Sequence, residues 1–412
     1  MSRSSGERSS GETGLRVRRV VLVTARWGDS HGETGAVVRL VAGALSTRAR
    51  VEVVSLRSSN DPRGSSTATP PASTRQDSVF SLHELAATQP ERERAGVLRA
   101  ALAVGNPSRL PEISGPRLAE LYGGRAQVAG ELIASLRPDA VLLAGPETWW
   151  LPELVRIGTP GARIVSLPLF GDDPVGDLVP FAPLVTAVDA VGVLSRADGV
   201  RVAGRIRANA GPARSAQPEV VELEVAFTVN RPAADQVMVG MSQYGRFVVL
   251  LTGFPEGTPG ARRSPGHDYV REALGPVAVA EVAHDRWRIS DLEKQREVPV
   301  GPSRPNLWKL LSHAEVCLDL RPQGIVGRET LESLLLGTPV VVPEGTVAAE
   351  HAERSNGGLW YRDYRELFDA ARAVVDSASL RAGLSARGRE WAERVHGDHG
   401  VFSEQVARLV LG

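Results

Sequence analysis

The sequence predicts two doubly wound α/β domains facing each other across a cleft. Three observations carry that expectation. Short β-branched runs alternate with helical patterns along most of the chain. A polar, glycine-bearing turn follows the first of those runs. The pattern then restarts near Phe247, after a segment rich in Ala, Pro, Gly and Ser. The length agrees, since 412 residues make two or three domains of about 150 residues each.

Residues 1–14 are rich in Ser, Gly, Glu and Arg and read as a disordered tail, without the apolar segment of a secretory signal. Residues 17–24 form a β-branched run suited to a buried parallel strand. The turn 28–35 follows, then a helix that puts Val37, Val38, Val41, Ala42 and Leu45 on one face. Residues 51–56 are the next strand, which completes a βαβ unit. The Ser/Thr/Pro/Arg-rich stretch 57–78 reads as a mobile surface loop. Residues 80–135 read as mostly helical, broken near Asn106-Pro107. Strands are expected at 140–145, 164–167 and 190–194, each followed by a turn and a helix.

Residues 208–219 and Asn230-Arg231-Pro232 mark a boundary, with 220–225 an extended link between them. Beyond it, 247–253, 277–282, 316–320 and 339–342 are apolar strands. The segments 306–313, 329–336, 365–376 and 380–395 are helical. The expected organisation is therefore an N-terminal Rossmann-like domain over 15–228, a second over 229–383, and a terminal helix over 384–412 crossing back to the first. In such sheets ligands bind outside the carboxyl ends of the strands, here the edges that face the cleft.

Composition narrows the function. Lys+Arg and Asp+Glu are both 48, so the net charge is zero, and the basic excess of a nucleic-acid binder is missing. Only two lysines occur, Lys294 and Lys309, so arginine carries almost all the positive charge. Cys317 is the single cysteine, in the apolar run 314–318, and reads as a buried small hydrophobe. No run approaches the ~20 apolar residues of a bilayer-crossing helix. A cytoplasmic enzyme or binding protein is the default expectation, with peripheral membrane contact left open. The histidines show no metal-ligand spacing, and neither a phosphate loop of the Gly-x-x-x-x-Gly-Lys-Ser/Thr type nor a Gly-x-Ser-x-Gly elbow is present. No metal site and no resident cofactor are expected.

The segment richest in chemistry is 321–342. It reads as strand end, glycine-bearing loop, helix, turn and strand. The loop ends at a helix N-terminus, where free N–H groups and the helix dipole favour an anion. Gly324 and Gly327 allow a diphosphate close to the backbone. Glu329 and Glu332 are three apart and share a helix face. A carboxylate one turn into the helix can accept from a ribose diol, although acidic residues also occur in first turns for the dipole alone.

Residues 331–341, Leu-Glu-Ser-Leu-Leu-Leu-Gly-Thr-Pro-Val-Val, resemble the Leu-Glu-Ala-x-x-x-Gly-Thr-Pro-Val-Val stretch of GT-B glycosyltransferases, in particular the retaining, family-4-like group. The approach 306–316 and the turn ending 356–360 are similar to the same family, as are the glycine turn 28–35 and the strand 190–195 that ends in serine. The resemblance implies sugar transfer from a nucleotide-diphosphate donor to an acceptor hydroxyl, with retention. The partners it implies are a nucleotide sugar and an acceptor that is a sugar, a lipid-linked sugar or another small molecule.

Carried over residue by residue, the second of the family's two loop glutamates falls on Glu332, which would hold the ribose. The first, which contacts the transferred sugar, falls on Gly324, beside Gln323. The family's diphosphate arginine falls on Phe254, so Arg262, Arg263 or Arg328 would supply the charge. Gly327, Arg328, Glu329 and Thr330 would form the diphosphate and sugar end. Gly28, His31, Gly32 and Asp172 would face the acceptor, and Trp149-Trp150 either stacks on a ligand or packs a helix. A catalytically silent GT-B relative that binds a nucleotide sugar or a partner protein is the alternative, and a nucleotide-sugar epimerase a third.

Overall fold

The computed structural model describes residues 17–25, 27, 33–56, 80–85, 127–145, 148, 151–169, 187–209, 217–232, 245–252, 270, 272–275, 277–283, 287–291, 296–321 and 324–412. Two seven-stranded sheets organise them.

The first sheet runs β3-β2-β1-β4-β5-β6-β7, and every pairing in it is parallel. Its strands are β1 (Arg19–Thr24), β2 (Arg50–Leu56), β3 (Ser81–Leu85), β4 (Ala140–Ala144), β5 (Arg163–Leu167), β6 (Ala190–Val193) and β7 (Glu219–Glu222). The described helices between them are α1 (Glu33–Ser46), α2 (127–136), α3 (Pro152–Gly158) and α4 (Arg196–Asn209). The strands are apolar runs because both faces are covered. Val20 and Leu22 join one buried cluster, while Val21 and Val23 join the cluster on the opposite face.

The second sheet runs β11-β10-β9-β8-β12-β13-β14. Its strands are β8 (Phe247–Leu251), β9 (Ala278–Val282), β10 (Trp287–Asp291), β11 (Arg296–Val300), β12 (Val316–Asp319), β13 (Val340–Pro343) and β14 (Gly358–Tyr361). The helices here are α5 (Arg304–His313), α6 (Arg328–Leu336), α7 (Val347–Ser355), α8 (Tyr364–Asp376), α9 (Ala378–His396) and α10 (His399–Leu411). Five strands are parallel, whereas β10 and β11 continue the edge in antiparallel sense. Helices with their own side-chain cap begin where a short polar residue accepts from the first turn: Ser303, Thr346, Asp363, Ser377 and Asp398.

Four expectations need correction. Residues 81–85 are an edge strand rather than helix. Residues 219–222 are not a bare link but the strand that closes the first sheet against β6. The hairpin of β10 and β11 has no counterpart in the expected all-parallel pattern. The terminal helix is two helices, because Gly397-Asp398 ends α9 and caps α10. The tail 1–14 and the loop 57–78 lie outside the described residues.

α10 lies on the first sheet. Arg163 Nε donates to Leu409 O at 3.0 Å, and Glu224 N donates to Gln405 Oε1 at 3.0 Å. A Cβ on Gly192 of β6 would stand 2.8 Å from Leu409 Cδ2 and 3.1 Å from Leu167 Cδ1, so those leucine ends would have to shift to admit one. Cys317 is buried in β12, and that burial pushes its thiol up. No described helix is long and apolar enough to cross a membrane.

Candidate functional site

β12 lies in the interior of its sheet and is buried throughout. It ends at Asp319, whose Oδ1 accepts from Arg321 N at 2.9 Å and turns the chain along the sheet's carboxyl edge. The loop reaches α6 through Gly327, at φ 60° and ψ 47°, a left-handed conformation that costs a side-chain-bearing residue roughly 1–2 kcal/mol. Gly327 offers no side chain to cap α6.

The missing cap comes from the other domain. Glu33, the first residue of α1, takes Ile325 N on Oε2 and Arg328 N on Oε1, each at 2.7 Å. A Cβ placed on Gly324 would sit 3.6 Å from Glu33 Oε2. The carboxylate of Glu33 therefore lies against the loop at the position expected for an anion.

Behind it runs a chain of alternating charge. Arg321 binds Asp319 at 2.6 Å and Glu329 at 2.9 Å. Arg304 binds Glu329 at 2.7 Å and Glu332 at 3.0 Å. Arg328 binds Glu332 at 2.8 Å and lies over the Phe227 ring, 5.3 Å from its centroid. Burial raises Glu329, but the guanidiniums of Arg321 and Arg304 overcome it and hold the carboxyl well below the usual range. Glu332 goes the other way: its burial outweighs Arg304 and Arg328, so its pKa is raised. Glu33 is raised as well, by burial at the interface and then by the charge of Glu329, against its two amide donors.

A histidine pair supports the loop from below. His351 Nε2–H donates to Val326 O at 2.8 Å, and His396 Nδ1–H donates to Val225 O at 2.8 Å. The rings meet edge to face at 5.3 Å, with Trp391 against both. Burial lowers His351 to about 3, so it is neutral at ordinary pH. His351 Nδ1 and His396 Nε2 have no partner among the described residues.

The structure thus brings Gly324, Gly327, Arg328, Glu329, Thr330 and Glu332 together at one helix start. Glu332 is fully enclosed, with one oxygen on each arginine, rather than open to a ligand. Thr330 Oγ1 is buried without a partner among the described residues. Arg328 is committed to Glu332 and is not a free cation. Gly28, His31, Gly32, Trp149, Trp150, Asp172, Phe254, Arg262, Arg263 and Gln323 lie outside the described residues. The sequence reading passed over Glu33, Arg304 and Arg321 as site residues. Arg321 had a signal, lying two residues past a strand-ending Asp, whereas Arg304 had none.

No protein-family model matches the chain, and no curated protein matches it. Solved structures do. Anabaena HepE in complex with UDP and glucose aligns over 94% of this chain and 98% of its own, with TM-score 0.58 and 14% identity. Sucrose-phosphate synthase from Thermosynechococcus elongatus aligns over 95% and 98%, with TM-score 0.62 and 14% identity. The UDP-forming α,α-trehalose-phosphate synthase from Burkholderia vietnamiensis aligns over 95% and 99%, with TM-score 0.62 and 13% identity. The chain has the GT-B fold. In GT-B terms, α6 begins at the carboxyl edge of the second sheet, and Glu33 reaches it from the first domain.

Proposed function

We propose that this protein is a glycosyltransferase that moves a sugar from a nucleoside-diphosphate donor to an acceptor hydroxyl, with retention of configuration. One observation carries the reading: in a GT-B fold, α6 starts on a left-handed glycine with no cap of its own, and its first amide, Arg328 N, already shares a carboxylate with the loop amide Ile325 N. A diphosphate is the natural anion for that cradle. HepE was solved with UDP and glucose, so a UDP-sugar is the first donor to test.

In this reading the amides of Ile325 and Arg328 take the diphosphate, whose leaving group builds negative charge in the transition state. Arg321 and Arg304 are paired behind it with Asp319, Glu329 and Glu332, so Arg262 or Arg263 would add the net positive charge. Glu332 grips the ribose once Arg304 or Arg328 yields one of its oxygens. Gly28, His31, Gly32 and Asp172 face the acceptor. The acceptor attacks from the face the leaving group departs, and the diphosphate takes its proton, so no resident metal, cofactor or protein base is required. We place the domain limits at 15–228 and 229–383, with 384–412 returning to the first domain, and the protein in the cytoplasm.

The alternative, a silent GT-B relative that binds without transfer, is favoured by Gly324, which has no side chain, and by the pairing of all three described site arginines with carboxylates. Calorimetric titration with UDP, GDP and ADP, followed by UDP-glucose turnover with and without acceptors, separates the two. Binding with turnover supports transfer. Tight binding without turnover across an acceptor panel supports the silent protein. A chain that binds none of these nucleotides loses the transfer reading and leaves of the silent one only the form that binds a partner protein.

A further inference from the structure

α6 differs from the other helices of its half in one respect. α5, α7, α8, α9 and α10 each carry a short polar residue that caps their first turn. α6 carries Gly327 instead, and its start is buried around Ile325, Val326 and Gly327. Amides there have to be met, because an unmet buried donor costs about 1–3 kcal/mol in general. The sequence leaves them for something outside the domain. In this structure that something is Glu33.

The charge count makes Glu33 an odd permanent partner. Among the described residues, three guanidiniums (Arg304, Arg321, Arg328) face four carboxylates (Asp319, Glu329, Glu332 and Glu33). One negative charge is left over. Burial, and after it the like charge of Glu329, works against Glu33, whose carboxyl is raised. A diphosphate entering this cradle would meet the same two amides, already engaged, and a net negative surrounding. With Glu33 gone, the amides are free and the remaining charges balance.

We infer that Glu33 is a tethered stand-in for the donor's diphosphate: it holds the Ile325 and Arg328 amides while the cleft is empty and has to leave them before a nucleoside diphosphate binds. This inference rests on the donor reading above. Because Glu33 belongs to the first domain and the amides to the second, its departure loosens one of the contacts between them. Another such contact is Glu350 of α7, which accepts from Arg196 N at 2.9 Å and Ala197 N at 3.3 Å at the start of α4. That contact closes the same cleft without touching the α6 amides, so it serves as the control.

The test compares the intact chain with Glu33→Ala, Glu33→Gln and Glu350→Ala by calorimetric titration against UDP, inorganic pyrophosphate and uridine. A tethered competitor lowers the apparent affinity by the fraction of molecules in which the cradle is free. If that fraction is about one in ten, Glu33→Ala binds UDP and pyrophosphate about tenfold more tightly. Glu33→Gln follows the same direction, since its amide offers one acceptor oxygen where the carboxylate offers one to each N–H group. Uridine binding stays unchanged, and Glu350→Ala does not gain pyrophosphate affinity. Equal or weaker UDP binding by both Glu33 variants, with the intact chain still binding UDP, overturns the stand-in while leaving the donor reading in place. A gain of the same size for uridine, or in Glu350→Ala, also overturns it, because the effect would then come from cleft opening alone. Failure of every variant and of the intact chain to bind any nucleotide removes the donor reading, and the stand-in with it.

Discussion

Two helix starts face the interdomain gap, and they are met in different ways. α4 and α6 both follow a parallel strand at the carboxyl edge of a sheet, and both receive a glutamate from the opposite domain. α4 also has a local cap, since Ser195 Oγ accepts from Asp198 N at 3.1 Å, and its first residues Arg196 and Ala197 are exposed. Water can replace Glu350 there at little cost. α6 has neither a local cap nor that exposure. The comparison teaches that the same contact is incidental at a solvated start and structural at a buried one, where only another anion can take its place.

The sharpest way to break the comparison is to remove the charge behind α6. Glu332→Ala leaves Arg304 and Arg328 without their shared carboxylate inside the fold. We expect a stability loss of about 3 kcal/mol in urea unfolding, the low end for a broken buried pair because both guanidiniums retain some solvent. A loss no larger than that of a surface ion pair would mean that the chain of charges is decoration.

Acid should sharpen the contrast next. His351 holds the α6 loop by its carbonyl at Val326, and among the described residues no histidine does the same for α4. Its pKa falls from 6.5 to about 3 on folding, so below pH 6.5 the unfolded chain binds a proton that the native chain does not. Stability is then intact above pH 6.5 and drains away as the pH falls towards 3. Between pH 6.5 and 5 the loss from this residue is about 2 kcal/mol. Unfolding curves at several pH values should show that slope, and His351→Gln should reduce it. A slope unchanged by the substitution would place the acid sensitivity elsewhere.

The smallest effect belongs to the solvated start. Glu350→Ala should cost under about 1 kcal/mol and be partly masked by salt. A cost matching that of Glu332→Ala would erase the distinction between the two helices.

Much of the fold was legible. Parallel strands covered on both faces read as unbroken apolar runs, and 247–251 or 140–144 could scarcely be anything else. The edges were not legible, for the same reason. β3 is Ser-Leu-His-Glu-Leu, partly exposed along its length, and carries no apolar run. β10 and β11 form a hairpin whose Arg288 pairs with Glu281 of β9 at 2.9 Å, a polar signature that periodicity does not register. At the site, the loop and helix of 321–336 stood out through glycine and proline punctuation. Glu33 did not, because its partners lie 292 and 295 residues away, and only the folded topology brings them together.

The return of α10 to the first sheet carries a consequence for how the molecule is made. Phe402, Val406, Leu409 and Val410 complete a buried cluster begun by Val20 and Leu22. On the ribosome, the opening half of the chain emerges long before the helix that roofs it. Until the whole second half has been synthesised, the early sheet waits with one flank uncovered, so translation order and the order of final closure run in opposite directions.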